Sequence, residues 1–293
     1  APGGKNRRAL SEHEKAGAIH LHGAGGSAAG TADVKRAAGR DRFATAAEVG
    51  LQAFPKWVGV TDVVIASGDN HAMADPLSAS GLAGVYSAPI LLVRDRLVDG
   101  KLPAPTESAI AAIKSANGGK VRFHVVGGTT VIPPNVYNRI SSLKGGGTIT
   151  RVAGRDRYAT STEIAKRMAA VLGSSKIPGV LIANGQDSAA FFDALAASPV
   201  AYRTNRPLLL VQHQAVPGTV RDLLASSGFS GKPRTVVNSS ARVSKAVYDA
   251  VGSKARMAAS SERQRSAVEI AHQAVAAGWL PLGSVAVANG LPD

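Results

Sequence analysis

Gly39-Arg40-Asp41-Arg42-Phe43-Ala44-Thr45-Ala46 returns as Gly154-Arg155-Asp156-Arg157-Tyr158-Ala159-Thr160-Ser161, 115 residues further on. Glu48 and Glu163 each stand six residues beyond the second arginine of their copy. A fainter third occurrence, Ser261-Glu262-Arg263-Gln264, follows 106 residues after the second, again with Glu269 six beyond Arg263. Three occurrences with one internal spacing identify a supersecondary unit used repeatedly along the chain.

The agreement continues downstream in order. Val63-Val64-Ile65-Ala66-Ser67-Gly68 is matched by Val180-Leu181-Ile182-Ala183-Asn184-Gly185 and by Val285-Ala286-Val287-Ala288-Asn289-Gly290. Asp75-Pro76-Leu77-Ser78-Ala79-Ser80 is matched by Asp193-Ala194-Leu195-Ala196-Ala197-Ser198. Ala88-Pro89-Ile90-Leu91-Leu92-Val93 pairs with Arg206-Pro207-Leu208-Leu209-Leu210-Val211, and Val125-Val126-Gly127-Gly128-Thr129 with Val236-Val237-Asn238-Ser239-Ser240. The third copy reaches Asp293, where the aspartate of the small-residue motif would begin. The expectation is two complete units and a truncated third: 1–38 as a flexible lead-in, 39–153 and 154–258 as the full repeats, 259–293 as the partial one.

The runs 62–67, 89–93, 121–126, 180–183, 207–211 and 234–237 are short, continuous and rich in Val, Ile and Leu. Such runs are strands covered on both faces, as in a parallel sheet with helices on either side. Between them lie helical stripes, such as Ile164, Ala165, Met168, Val171 and Leu172, with Ile270, Ala271, Ala274, Ala277 and Gly278 at the same offsets in the third copy. Asp41, Asp156 and Glu262 immediately precede these helices, where an acidic side chain caps free N–H groups and complements the helix dipole. Loops rich in Gly and Pro, such as 97–105 and 144–147, separate the elements, and Gly23-Ala24-Gly25-Gly26-Ser27 marks the lead-in. The fold class expected is α/β, built of tandem units with parallel sheets.

The 293 residues hold 45% apolar side chains, enough for a real core in each of two compact domains. No apolar run is long enough to span a bilayer. The first residues lack the apolar segment of a signal peptide, and the Ala1-Pro2 start suits a mature secreted chain. Cysteine is absent, which excludes disulfide scaffolds, thiolate metal sites and cysteine nucleophiles. Lys plus Arg is 34 against 20 for Asp plus Glu, so the chain carries +14 and is drawn to polyanions. Aromatic residues are only 4%, too few for the stacking platforms of a single-strand nucleic-acid binder. An anionic envelope polymer, teichoic-acid-like or an acidic polysaccharide, fits better than nucleic acid.

The ordered motifs Gly-x-Asp-Arg-[Tyr/Phe]-x-Thr, Ala-[Ser/Asn]-Gly, Asp with small residues, Ala-Pro-Ile-Leu-Leu-Val and Val-Gly-Gly-Thr resemble the cell wall binding repeat 2 family over roughly residues 39–293. The resemblance implies a Rossmann-like fold per repeat, three repeats about a pseudo-threefold axis, and attachment of secreted or surface proteins of Gram-positive bacteria to anionic wall polymers. The departures are longer Gly68–Asp75 and Gly185–Asp193 segments, Asn238-Ser239-Ser240 in place of Gly-Gly-Thr, and Ser261 and Gln264 where Gly and Tyr are expected.

The candidate polymer-binding residues are Arg42 and Arg157, whose guanidinium forks suit phosphate or carboxylate, and the loops expected at the sheet edge. Those loops are Ser67 and Gly68 with Asp75, Asn184 and Gly185 with Asp193, and Gly127, Gly128 and Thr129, whose N–H groups suit an anion. The alternative for the arginines is architectural: the aspartate caps its helix and the arginine pairs with a neighbouring repeat, Glu48 or Glu163. For the glycine loop it is a tight turn. Neither nucleotide-binding glycine motif is present. His20 and His22 could reach one metal from an extended segment but have no evident third ligand, so no metal or other cofactor is expected. No nucleophile, acid and base recur as a set. The reading is a non-catalytic binding module, secreted and resident at the cell wall or surface, whose repeats associate with one another and whose incomplete third repeat offers a route to self-association. A wall hydrolase or amidase, and a two-lobed receptor for a small ligand, are the alternatives.

Overall fold

A computed structural model describes residues 18–20, 31–33 and 36–281. In the N-terminal unit, residues 1–38, two short strands pair antiparallel: β1 (Ala18–His20) and β2 (Thr31–Asp33), with Ile19 opposite Ala32. The main unit, 39–293, is a succession of helices and strands. Its first half runs α1 (Arg42–Ala53), β3 (Asp62–Ser67), α2 (Ala74–Tyr86), β4 (Ile90–Val93), α3 (Ala104–Ala116), β5 (Arg122–Val126), α4 (Pro134–Ser142) and β6 (Ile149–Val152). The second half repeats that order: α5 (Arg157–Leu172), β7 (Val180–Asn184), α6 (Phe191–Thr204), β8 (Leu208–Val211), α7 (Gly218–Ala225), β9 (Arg234–Val236), α8 (Lys245–Ala250) and β10 (Ala255–Arg256). Helix α9 (Arg263–Ala276) follows, and the third-copy strand expected at 285–290 lies outside the described residues.

Each half forms a four-stranded, wholly parallel sheet, ordered β4-β3-β5-β6 and β8-β7-β9-β10. Strands β3 and β7 are buried along their whole length, as the continuous apolar runs require. In both sheets the chain passes outward to one neighbour and then returns past its starting strand, so the strand order reverses between β3 and β5 and between β7 and β9. Ligands of open α/β sheets collect at the carboxyl ends of strands near such a reversal.

The final strand of each sheet is absent from the expected set. Ile149-Thr150-Arg151-Val152 and Ala255-Arg256 are too short or too polar to show as buried runs, because each is an edge strand left mostly uncovered, unlike the edge strands β4 and β8. Each also carries an arginine that braces the loop beyond the neighbouring strand. Arg151 donates to the carbonyls of Gly127 (2.6 Å) and Ile132 (2.9 Å) and lies over the Tyr137 ring. Arg256 does the same for Asn238 and Val243 and lies over Tyr248.

The two halves join through small residues. Ala79, Leu82 and Ala83 of α2 share a core with Ile164, Ala165 and Met168 of α5 and Leu209 of β8. Leu77 packs with Ala194, Ala197 and Ala201 of α6. A Cβ built on Gly84 would fall 1.9 Å from the Tyr202 carbonyl oxygen, so helices α2 and α6 cross at a distance only glycine permits. Beyond α6, Ile270 and Ala274 of α9 are fully buried in the same cluster, while Val268 stays 55% exposed. At the opposite end of the first sheet, Asp62 is buried and accepts from Arg122 (2.9 Å) and pairs with His124 (2.8 Å), whose ring stacks on Tyr86 at 3.8 Å. Although burial alone would raise it, these hydrogen bonds hold the Asp62 carboxyl down at about 2.

Candidate functional site

The repeated motif is first a helix start. Asp41 accepts the Ala44 N–H (2.8 Å) and Asp156 the Ala159 N–H (2.7 Å). Thr45 and Thr160 accept from Gly39 and Gly154 at 3.0 and 3.1 Å. The glycine has no room for a side chain: a Cβ would sit 2.3 Å from the Cβ of Ala44 or Ala159. Asp156→Ala is therefore expected to cost about 1 kcal/mol, read as a lowered Tm in thermal unfolding.

In the third copy Glu262 makes no side-chain cap, and the structural equivalent of the motif glycine is Ser260 rather than Ser261. Glu269 takes over by accepting the N–H groups of Ala259 (2.7 Å) and Ser260 (3.0 Å), and Ser266, at the threonine position, donates to the Ser260 carbonyl. Glu48 and Glu163 are not the arginines' partners. They pair with Gln52 and Lys166 on their own helices, while Arg42 donates to the Gly68 carbonyl (2.6 Å) and Arg157 to the Gly185 carbonyl (2.9 Å). Each arginine thus ties a helix N-terminus to the carboxyl end of the central strand beside it.

That tie places Arg42 in a cavity of about 360 Å³ at the carboxyl edge of the first sheet. Phe43, Gly68, Asp69, Asn70, His71, Arg94, Asp95 and Arg96 line the rest of it. Arg42 also donates to Asn70 Oδ1 (2.6 Å), the Arg94 guanidinium lies 4.8 Å above the Phe43 ring, and Arg96 pairs with Asp95 at 3.0 Å. Ser67 Oγ accepts the Asp69 N–H, and the Asp69 carboxylate in turn accepts the Asp95 N–H at 2.7 Å, so the two loops are held to each other. Three guanidinium groups with two carboxylates suit an oxyanion flanked by hydroxyls: arginine donates to the first, and Asp69 and Asp95 accept from the second. Of this wall, Arg42, Phe43 and Gly68 belong to the repeated motifs, with Ser67 just behind, and only Arg42 and Gly68 are among the candidate binding residues. Arg94, Asp95 and Arg96 carry a signal that could have found them, a charged run directly after a buried strand.

A second cluster lies at the strand-order reversal. Asp75, only 7% exposed, puts Oδ2 against the Gly127 backbone, where a Cβ would come within 2.9 Å. Burial pushes its carboxyl from 3.8 up to about 6, against the pull of Arg157 from the second repeat. No hydrogen bond reaches this carboxylate among the described residues. Gly128 is half-buried and Thr129 exposed beside it.

The third cluster is the counterpart of the second. Asp193 is 4% exposed, and burial raises its pKa too, but here Asn238 replaces the glycine. Asn238 donates to Asp193 (2.8 Å) and to the Ala190 carbonyl, and its Oδ1 accepts the Asn184 N–H. Asn184 Oδ1 accepts from Gln186 and Asp187, closing the turn beyond Gly185. A larger cavity, about 690 Å³, lies beside β10 and α9 against Lys232, Arg234 and Trp279 and includes none of the candidate polymer-binding residues. Among the described residues no three metal-ligating side chains cluster, and no helix is long and apolar enough to cross a membrane.

The profile of a protein family described as Cell wall binding domain 2 (CWB2) matches residues 36–137 and 151–248. The chain is 29% identical over 262 residues to the N-acetylmuramoyl-L-alanine amidase LytC of Bacillus subtilis (strain 168), an overlap covering 89% of this chain and 46% of that protein. It is 29% identical to the amidase enhancer of the same organism, over 62% of this chain and 22% of the other. Among solved structures, Cwp6 from Clostridium difficile superposes with a TM-score of 0.69 at 25% identity, covering 87% of this chain and 38% of that one. Cwp8 from the same organism gives 0.65 at 26%, covering 79% and 36%. The chain spans less than half the length of each of these relatives.

Proposed function

The chain belongs to the Cell wall binding domain 2 family, and from that membership we propose that it is a non-catalytic module holding a secreted or surface protein to an anionic polymer of the bacterial wall. The observation that carries this reading is the family match across both repeats. The arginine-lined cavity at the first sheet's edge and the +14 charge support it. The repeats run 39–153 and 154–258, with 259–293 beginning a third. Within the wall polymer, an oxyanion meets Arg42 and its neighbours, while Ser67, Gly68, Asn184 and Gly185 shape the loops that present it. The Asp75–Gly127 and Asp193–Asn238 clusters, with Gly128 and Thr129 at the rim, set the spacing between repeats and hence between successive contacts on the polymer. Self-association is part of the proposal: Leu77 is buried against the second repeat, whereas Leu195, at the same place on α6, is 55% exposed.

Catalysis of the kind named for the LytC relative is assigned to polypeptide other than these repeats. The test is co-sedimentation with purified Gram-positive walls, before and after extraction of their anionic secondary polymers. Extraction is expected to cut binding by about tenfold or more, and added salt to weaken what remains. Equal binding to both preparations overturns the polymer assignment, and release of free amines from the walls overturns the non-catalytic one.

A further inference from the structure

We propose that the two repeats are not equivalent as binding sites: the first reads the polymer's oxyanion through Arg94, and the second has lost that capacity by internal pairing. This rests on the wall-polymer reading above. Matched through the two sheets, Arg94, the residue after β4, corresponds to Gln212 after β8, and Asp95 to His213. The loop-to-loop contact confirms the register, because Asp69 accepts the Asp95 N–H and Gln186 accepts the His213 N–H in its place.

The two environments differ in what is left for a ligand. The Arg94 guanidinium carbon lies over the Phe43 ring, 4.8 Å from its centroid, and no carboxylate pairs with it among the described residues. A guanidinium stacked on a ring keeps its N–H edge for hydrogen bonds and loses little freedom when an oxyanion arrives. In the second repeat this position holds Gln212, an uncharged amide, and Tyr158 stands in the place of Phe43. Arg242, where the first repeat has Val131, bridges to Asp187 at 2.5 Å, and its carbonyl accepts from Asn184 and contacts His213. At this edge Arg242 is thus answered by Asp187, Arg157 is tied to the Gly185 carbonyl, and the position of Arg94 carries no charge. The oxyanion that Arg94 would take is a phosphodiester or a carboxylate, which the guanidinium fork accepts alike.

The experiment compares the full chain with Arg94→Gln, Arg94→Lys and the charge-matched control Arg221→Gln, at an exposed position of α7. Each is titrated with poly(glycerol phosphate), with polygalacturonate and with purified walls. Arg94→Gln is expected to lose about tenfold in affinity for whichever polymer the chain prefers, and Arg221→Gln less than twofold. Arg94→Lys, which keeps the charge without the fork, should fall between them, and it carries the test if the glutamine variant does not fold. The preferred polymer identifies the oxyanion. Wall binding by the parent chain with Arg94→Gln no weaker than Arg221→Gln overturns this inference and leaves the polymer reading standing. Failure of the parent chain to bind walls at all overturns both.

Discussion

Gly84→Ala is expected to cost about 3 kcal/mol or more in folding stability, the upper end of what overpacking produces. The added methyl would meet the Tyr202 carbonyl oxygen at 1.9 Å, which is backbone and cannot rotate away. Helices α2 and α6 would have to part by roughly an ångström, loosening the small-residue seam on either side of the contact. Gly81→Ala meets the flexible Met168 side chain at 3.0 Å and the Arg206 carbonyl at 3.1 Å, so its cost should be distinctly smaller. Gly218→Ala, in open space at the start of α7, should be neutral or slightly stabilising. Denaturant unfolding with two probes would check this. In a Trp279→Phe background Trp57 fluorescence reports the first repeat and far-UV dichroism both, and Gly84→Ala should separate the two transitions. A Gly84→Ala chain that unfolds like the parent would mean the repeats are not held by this crossing.

The second large effect is a gain. Asp75→Asn is expected to stabilise the chain by about 2 kcal/mol at pH 7 or above. The native carboxyl titrates near 6 rather than 3.8, so between those values the folded chain holds a proton that the unfolded chain has released. Stability from this group is therefore complete below about 3.8, falls as pH rises through about 6, and stays reduced above it. The difference between variant and parent should grow across that interval and vanish below it. Urea unfolding at a series of pH values measures it directly. A variant less stable than the parent at neutral pH would show that the Asp75 charge is compensated by its surroundings. Asp193→Asn should gain less, because Asn238 already donates to that carboxylate at 2.8 Å.

These effects divide by how visible they are in the amino-acid sequence. The helix caps at Asp41 and Asp156 were legible, since capping needs only one acceptor at a fixed offset from a helix start. The central strands were legible because burial on both faces forces a continuous apolar run. Strands β6 and β10 were not, because these edge strands, unlike β4 and β8, are mostly uncovered and can spend side chains elsewhere, as Arg151 and Arg256 do. Arg42 and Gly68 were found through repetition. Repetition does not mark Arg94, because the second repeat has Gln212 there, and comparing repeats finds what they share rather than where they differ.

The alternation of helices with the apolar strands, the parallel character of each sheet and the repetition of the unit were determined by sequence alone, because all three follow from local pattern and short-range chain connection. Tertiary structure decided where the arginines go and what the buried acids meet. Arg42 and Arg157 reach backbone carbonyls 26 and 28 residues away rather than the glutamates six residues on. Asp75 lies against a glycine and Asp193 against an asparagine amide. The physical reason is that a charged side chain's state is set by every group packed around it. Those groups come from strands and helices that are distant in the chain and adjacent only once the sheets have formed.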